Sequence, residues 1–329
     1  MKRIAINGMG RIGRTSLKII FDTPNLEVIA VNDIASIENI AYLLKHDSVH
    51  GSFEKDISIE GNQLIIDGKR IDFLSERNPE QLPWKKLKID IVIESTGVFT
   101  REEDADKHIK AGAKTVVLSG PSKSPNIPTV VHGVNTQDGK TSIFSCASCT
   151  TNNISPVMEI IGRRIGIKKA IMTTIHADTA SNRTIDSTDE KDFRMGRSGL
   201  NNLIPTSTGA AIATTRAMPQ FAGKFDGLAV RVPLAVGSLS DITIVTDRET
   251  SVEEINHILA EEAATDRYIK VFAVTNEPIV SSDIIKSPYA SIADLEMTKV
   301  VDGDLVKILA WYDNEWGFTS QMIRQIQEL

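Results

Sequence analysis

KRIAINGMGRIGRTSLKIIFDTPNLEVIAVND, residues 2–33, decides the fold. KRIAIN is a short apolar run and reads as a buried strand. GMGRIGR follows, RTSLKIIFD reads as a helix, and LEVIAVND at 26–33 reads as a second strand. A strand–helix–strand unit of this size builds a parallel pair.

The turn between strand and helix is Gly8-Met9-Gly10-Arg11-Ile12-Gly13. Glycines occur in turns for many reasons, and an ordinary βαβ turn is the competing reading. Here the motif follows a strand, opens a helix, and is answered by Asp33 at the end of the next strand, the spacing of the dinucleotide fingerprint. Gly8 permits the tight turn, Gly10 lets a pyrophosphate approach the backbone, and Gly13 lets the helix pack on the sheet. The helix N-terminus offers N–H groups and positive potential to phosphate. Asp33 bonds both ribose hydroxyls and repels a 2′-phosphate, which selects NAD over NADP.

Outward from this unit the pattern repeats. IDIVIESTG (89–97), KTVVLSG (114–120) and TVVHGVN (129–135) read as strands, and EEDADKHIKAGA as a helix with a glycine stop. Residues 53–75 look like inserted hairpins. After residue 149 the texture changes. SPVMEIIGRRIG is helical, and KKAIMTTIHAD (168–178) alternates as a strand. DGLAVRVPLA and SLSDITIVTD suggest antiparallel strands. SVEEINHILAEEAAT is an amphipathic helix, VKILAWYDNEWG a strand and turn, and FTSQMIRQIQEL a closing helix. Residues 178–209 are a long polar stretch with little periodicity, as functional or interface loops are.

The 329 residues exceed what one core holds, so two domains are expected. The net charge of −6 comes with no long basic run, which argues against nucleic acid as the main partner. Two cysteines cannot staple a chain this long and suggest a reducing compartment. MKRIAINGMG lacks the apolar core of a signal peptide, and no stretch approaches a membrane helix. A soluble, cytoplasmic protein is expected.

Both cysteines lie in SCASCTTNN, 145–153. A zinc site needs two more ligands, and neither a second CxxC nor an HxxxH is present, so no metal is expected. A redox pair or two buried core thiols are the other plain readings. Cys149, however, stands between a strand and a helical segment, where a helix N-terminus stabilises a thiolate. Of six histidines, His176 ends the strand IMTTIH beside the irregular loop and is the best-placed base. His108 and His257 sit on polar helices and read as surface residues, and His132 lies in a strand. Pro156 complicates the helix. Ser155-Pro156 looks like a helix start, yet a helix beginning at Cys149 puts the proline inside it.

INGMGRIGR (6–14), KHDSVHG (45–51), ESTGVFT (94–100), SCTTN (148–152), TTIHADT (173–179), PTSTGAA (205–211), AVRVP (229–233) and WYDNEWG (311–317) together resemble phosphorylating glyceraldehyde-3-phosphate dehydrogenase, from end to end and in order. The resemblance implies an α/β fold, with a Rossmann-type dinucleotide-binding domain over 1–148 and an α+β catalytic domain with a mostly antiparallel sheet over 149–314. A C-terminal helix, 315–329, packs back on the first. It implies Cys149 as nucleophile and His176 as base. Thr179 and Arg231 would hold the phosphate of glyceraldehyde 3-phosphate, and Ser148, Thr150, Thr208 and Gly209 the attacking inorganic phosphate. Arg11, Ile12, Asp33, Arg77, Thr96, Gly97, Ser119 and Asn314 would join the glycines in binding NAD. The loop 178–201 matches one that crosses a subunit interface in the family, implying a homotetramer.

Departures from the family pattern are local. The family's asparagine at 146 and second cysteine at 153 are here Cys146 and Asn153, so the CxxC is incidental. Asp178 is expected at the surface. The usual double arginine is Arg194-Met195, leaving Arg194 or Arg197 for the attacking phosphate. Ser187-Thr188 replaces a leucine–proline pair. Two rival functions stand beside the first: an erythrose-4-phosphate dehydrogenase that hydrolyses its thioester, and a NAD-binding redox-regulatory protein. The intact PTSTG at 205–209, together with His176 and Arg231, favours the first reading.

Overall fold

The computed structural model describes residues 1–136 and 141–329. They fall into two units: Met1–Val130, Gln137–Ala147 and Met322–Leu329 form one, and Val131–Thr136 with Ser148–Gln321 the other.

The first unit opens as the sequence reads. β1 (Lys2–Asn7) leads through the glycine turn into α1 (Arg11–Phe21), and β2 (Leu26–Asn32) pairs parallel to β1. α2 (Ile37–Lys45) is capped by Ser36, whose side chain accepts from the Asn39 N–H. β3 (Ile57–Glu60), β4 (Gln63–Ile66) and β5 (Lys69–Leu74) form the antiparallel insertion, and β5 joins β2 in parallel. The short α3 (Trp84–Leu87) precedes β6 (Ile91–Glu94), α4 (Glu102–Lys110), β7 (Thr115–Leu118) and β8 (Ile143–Ser145). The sheet order is β3-β4-β5-β2-β1-β6-β7-β8. Its central strands are apolar along their length because both faces are covered.

One expected strand is absent. Within 129–135 only Thr129 bridges Ser145, and the chain then turns. The Asn135 side chain accepts from the Val131 N–H at 2.7 Å, and Gly133 adopts φ +78°. These local bonds outcompete the strand that the valines favour. His132 therefore lies in a turn.

The second unit starts with α5 (Cys149–Arg164), capped by Ser148, with Pro156 inside it. The helix start proposed at Ser155 is thus not used. Pro156 instead costs α5 one hydrogen bond, that to the Asn152 carbonyl. β9 (Ile167–Ala177), β10 (Ile204–Ser207), α6 (Ala210–Ala217), β11 (Phe225–Val232), β12 (Ser238–Thr246), α7 (Val252–Ala263), β13 (Phe272–Thr275), β14 (Ser291–Val301) and β15 (Leu305–Tyr312) follow. The last element, α8 (Trp316–Glu328), ends in residues grouped with the first unit, where Lys2 Nζ donates to the Ile326 and Gln327 carbonyls.

The second sheet runs β10-β11-β9-β12-β15-β14-β13 and is mixed. Most pairs are antiparallel, but β11 runs parallel to β9 and β13 parallel to β14. β11 and β12 do not pair with each other. They flank β9, because the connection from β9 returns β11 in the same direction. One face is buried by α5, α6 and α7 around Met172, Ile242, Ile244, Val306 and Ile308. The opposite face leaves Ile171 and Leu228 exposed and Ile175, Leu239 and Trp311 half-buried.

Candidate functional site

At the carboxyl ends of β2, β1 and β6 lies a cavity of about 380 Å³, lined by Gly8, Gly10, Asp33, Arg77, Thr96 and Phe99 among others. This is where open parallel sheets bind ligands. Gly8 holds φ +93° with the Thr96 N–H within 2.7 Å of where a Cβ would stand. A Cβ on Gly13 would lie 1.9 Å from the Gly8 carbonyl oxygen. Around Gly10, by contrast, nothing lies within 4 Å of a built Cβ. Gly10 caps α1 without a side-chain bond. Open space and a bare helix N-terminus fit a pyrophosphate. Asp33 accepts from the Met9 N–H at 2.6 Å and the Ala35 N–H at 2.8 Å, which fixes its carboxylate beside the turn.

The remaining cofactor candidates are less uniform. Arg77 is exposed on the cavity wall, and Gly97 takes φ +73° next to Thr96. The Arg11 guanidinium is directed to Asp47 at 2.8 Å and to His50 Nδ1 at 3.2 Å, and neither Arg11 nor Ile12 is among the residues lining this cavity. Ser119 follows β7, its N–H donating to the Glu94 carbonyl. Asn314, in the second unit, is buried and accepts at Oδ1 from Gly237 N–H and Ser238 Oγ. A larger cavity, about 580 Å³, lies beside α4. It is lined by Glu102, Glu103 and Asp106, whose carboxylates oppose a pyrophosphate.

In the second unit Cys149 is the first residue of α5, and its Sγ lies 3.4 Å from His176 Nε2. His176 is placed by β9, and Arg231 sits in register with it on β11. That register explains the contact of 2.6 Å between Arg231 Nη1 and His176 Nδ1. The Ala177 carbonyl also lies 2.7 Å from Nδ1. The two neighbours ask for opposite tautomers. A guanidinium only donates, so facing Arg231 the Nδ1 accepts and Nε2 carries the proton. Facing Ala177, Nδ1 donates and Nε2 is left to accept from the thiol.

Burial and Arg231 together push His176 down to about 4, against the pull of the Ala177 carbonyl. Burial raises the Cys149 thiol, while Arg231 and the Thr150 hydroxyl act to lower it. Cys146, wholly buried, is pushed up to about 12. Neither cysteine is in a disulfide.

Thr150 is buried, with its hydroxyl 3.0 Å from Tyr312 Oη, which also meets Thr174 Oγ1 at 2.7 Å. Sequence reasoning missed Tyr312, whose ring packs edge-on to His176 at 6.0 Å. The alternation of LVKILAWY, which faces it inward, was the available signal. Ser148 caps the helix by accepting from Thr151 N–H. Thr179 is exposed and bonds Ser181 Oγ at 2.8 Å. Thr208 Oγ1 accepts from Ala210 N–H, and Gly209 caps α6. Arg197 pairs with Asp186 at 2.9 Å, whereas Arg194 is exposed.

Two corrections follow. Asp178 is half-buried rather than a surface residue. Its carboxylate lies where a Cβ on Gly199 would meet it at 2.2 Å, and burial raises its pKa while Arg231 lowers it. His108 is fully buried, because Trp84 and Glu94 supply partners that its polar helix conceals.

Among the described residues no cluster of three potential metal ligands occurs, and no helix is long and apolar enough to cross a membrane. A dinucleotide fold joined to a unit presenting a thiol and an imidazole defines the class of NAD-dependent dehydrogenases. Comparison with known proteins narrows this. Residues 2–102 match the glyceraldehyde 3-phosphate dehydrogenase NAD binding domain, and residues 148–314 match the C-terminal domain of the same family. The chain is 44% identical over 325 residues to the glyceraldehyde-3-phosphate dehydrogenase of Zymomonas mobilis, covering 98% of this chain and 96% of that protein. It is 44% identical over 333 residues to that of Thermotoga maritima, covering 100% and 99%. Identity to that of Clostridium acetobutylicum is 42% over 332 residues, covering 99% and 98%. The chain belongs to the glyceraldehyde-3-phosphate dehydrogenase family.

Proposed function

We propose that the protein oxidises D-glyceraldehyde 3-phosphate with NAD and inorganic phosphate to 1,3-bisphosphoglycerate. The observation that carries this reading is the Cys149–His176 contact at the start of α5, in a chain of this family. The Cys149 sulfur bonds to the aldehyde carbon while its proton passes to His176 Nε2. NAD, when bound, accepts the hydride from that carbon. What remains on Cys149 is a thioester. Inorganic phosphate attacks its carbonyl, and the acyl phosphate leaves as the sulfur is released.

The anion sites follow from the donors. Arg231 and Thr179 take the substrate's phosphate. Arg231 Nε is buried without a partner, as is Asn182 Nδ2 beside Thr179, and both suit an incoming anion. A phosphate that draws Arg231 off Nδ1 lets Nδ1 donate to Ala177, and Nε2 becomes the base. Ser148, Thr150, Thr208 and Gly209 take the attacking phosphate. Thr150 serves through its backbone N–H, since its hydroxyl faces Tyr312. Of the two loop arginines, Arg194 serves, because Arg197 is engaged by Asp186.

Residues 1–148 bind NAD through Gly8, Gly10, Arg11, Ile12, Gly13, Asp33, Arg77, Thr96, Gly97 and Ser119, helped by Asn314. Residues 149–314 carry the chemistry. The bare sheet face, with Ile171 57% exposed, and the loop 178–201, with Phe193 84% exposed, support a homotetramer. Two cysteines outside any disulfide support a reducing, cytoplasmic setting.

The test is NADH formation from glyceraldehyde 3-phosphate and NAD with and without inorganic phosphate. Turnover that depends on phosphate is expected. Steady turnover indifferent to phosphate would assign a hydrolysing enzyme of the erythrose 4-phosphate type instead. Sedimentation at working concentration reads the oligomer.

A further inference from the structure

Under the dinucleotide cleft lies a chain of buried polar side chains. The adjacent strands β2, β1 and β6 end on Asn32, Asn7 and Glu94, which stand side by side in register. All are nearly inaccessible, at 4%, 1% and 3% exposed. Burying three such groups is costly unless each finds its partners, and here the partners form one directed series.

The direction is fixed at Trp84, whose indole N–H can only donate. It donates to His108 Nδ1 at 2.9 Å. His108 Nδ1 is then an acceptor, and its proton sits on Nε2, 3.1 Å from Glu94 Oε2. The same oxygen accepts from Asn7 Nδ2 at 2.6 Å. Glu94 Oε1 accepts from the Thr96 N–H at 2.8 Å and from the Thr96 hydroxyl. Four donors converge on one carboxyl group. The series continues as Asn32 Nδ2 donates to Asn7 Oδ1 at 2.7 Å. Asn32 in turn bonds the Glu76 carbonyl and N–H, both at 2.9 Å.

The series reaches the cleft at several points. Asn7 and Asn32 line it, as do Glu76 and Arg77 beyond Asn32, and Thr96, Val98 and Phe99 beyond Glu94. The Val98 N–H donates to the Thr96 hydroxyl that Glu94 holds. Glu94 itself lies beneath the cavity lining.

We infer that Glu94 is a positioning residue for the adenosine half of NAD, holding the Thr96–Val98 turn directly and the Glu76–Arg77 segment through Asn7 and Asn32. His108, locked as a donor by Trp84, orients the carboxylate. The inference rests on reading this cleft as the cofactor site.

Replacing Glu94 by the isosteric glutamine turns one oxygen into a donor facing donors. The Glu94→Gln protein should bind ADP-ribose about tenfold more weakly, the size expected from losing a charge-assisted hydrogen bond. Its KM for NAD should rise alike, with kcat at saturating NAD and KM for glyceraldehyde 3-phosphate little changed. His108→Gln, which keeps an amide donor, should lose less than His108→Leu. This pair supplies the same comparison if Glu94→Gln fails to fold. A cooperatively melting Glu94→Gln protein that binds ADP-ribose like the parent overturns the inference. So does one whose kcat falls as far as its cofactor affinity, or two His108 variants that behave alike. Failure of the unaltered protein to bind ADP-ribose would instead strike the cofactor reading itself.

Discussion

The polar groups beneath the dinucleotide cleft and those around the thiol are arranged in opposite ways. Beneath the dinucleotide cleft, Asn7, Asn32, Glu94 and His108 bond one another in a closed series. Around the thiol, Arg231 Nε, Asp178 Oδ1 and Asn182 Nδ2 are buried without partners among the described residues, and His176 Nδ1 faces two neighbours it cannot satisfy with one tautomer. Satisfied networks rigidify, while orphaned groups await a ligand. The series beneath the cleft is thus complete before anything binds. The groups around the thiol leave donors open for the substrate proposed above.

The largest expected effect separates the two units cleanly. Cys149→Ser should abolish turnover, by about 10⁴-fold or more, because a hydroxyl there lacks the nucleophilicity of sulfur. NAD affinity, measured by calorimetry, should stay within about twofold, a shift of under half a kcal/mol. Loss of both would break the separation. Gly13→Ala should do the reverse. Its Cβ meets the Gly8 carbonyl at 1.9 Å, so the turn must shift, at a cost of about 1–3 kcal/mol in unfolding free energy and with weaker NAD binding. Alkylation of Cys149 should proceed as before.

Acid sharpens the comparison. The unfolded chain protonates residue 176 near the ordinary histidine value of about 6.5. The folded protein resists until about 4. Stability should therefore fall as pH drops through that window, with the full loss, roughly 3 kcal/mol, reached below it. His176→Gln should flatten this part of the denaturant-midpoint profile, and an unchanged profile would count against the buried neutral imidazole. The smallest effect concerns Cys146. With its thiol pushed up to about 12, it should stay unmodified by iodoacetamide in the folded protein, so mass spectrometry should find one label per chain, on Cys149.

The first unit was the more legible in sequence. Its glycine turn, Asp33 and the strands around them are local, and local spacing fixes them. The Cys149–His176 pair was legible as residue types beside a strand end and a helix start, but its partners were not. Arg231 reaches His176 only because β11 runs parallel to β9, and alternation alone suggested an antiparallel pair instead. His108 read as surface because α4 is polar, and nothing near it in sequence announces Trp84 or Glu94. Pro156 pointed to a helix start, yet the Ser148 cap and the packing of α5 on β14 and β15 outweigh one lost hydrogen bond. Asp178 read as exposed because its cover, Gly199, lies across an irregular loop.

The proposed chemistry passes through a covalent intermediate on one sulfur. The most direct measurement is mass analysis of the protein quenched in acid after mixing with glyceraldehyde 3-phosphate and NAD in phosphate-free buffer. An acyl adduct is expected on the Cys149 peptide, discharged when inorganic phosphate is added before the quench. NADH formation with no adduct at Cys149, or an adduct that phosphate leaves in place, would contradict it.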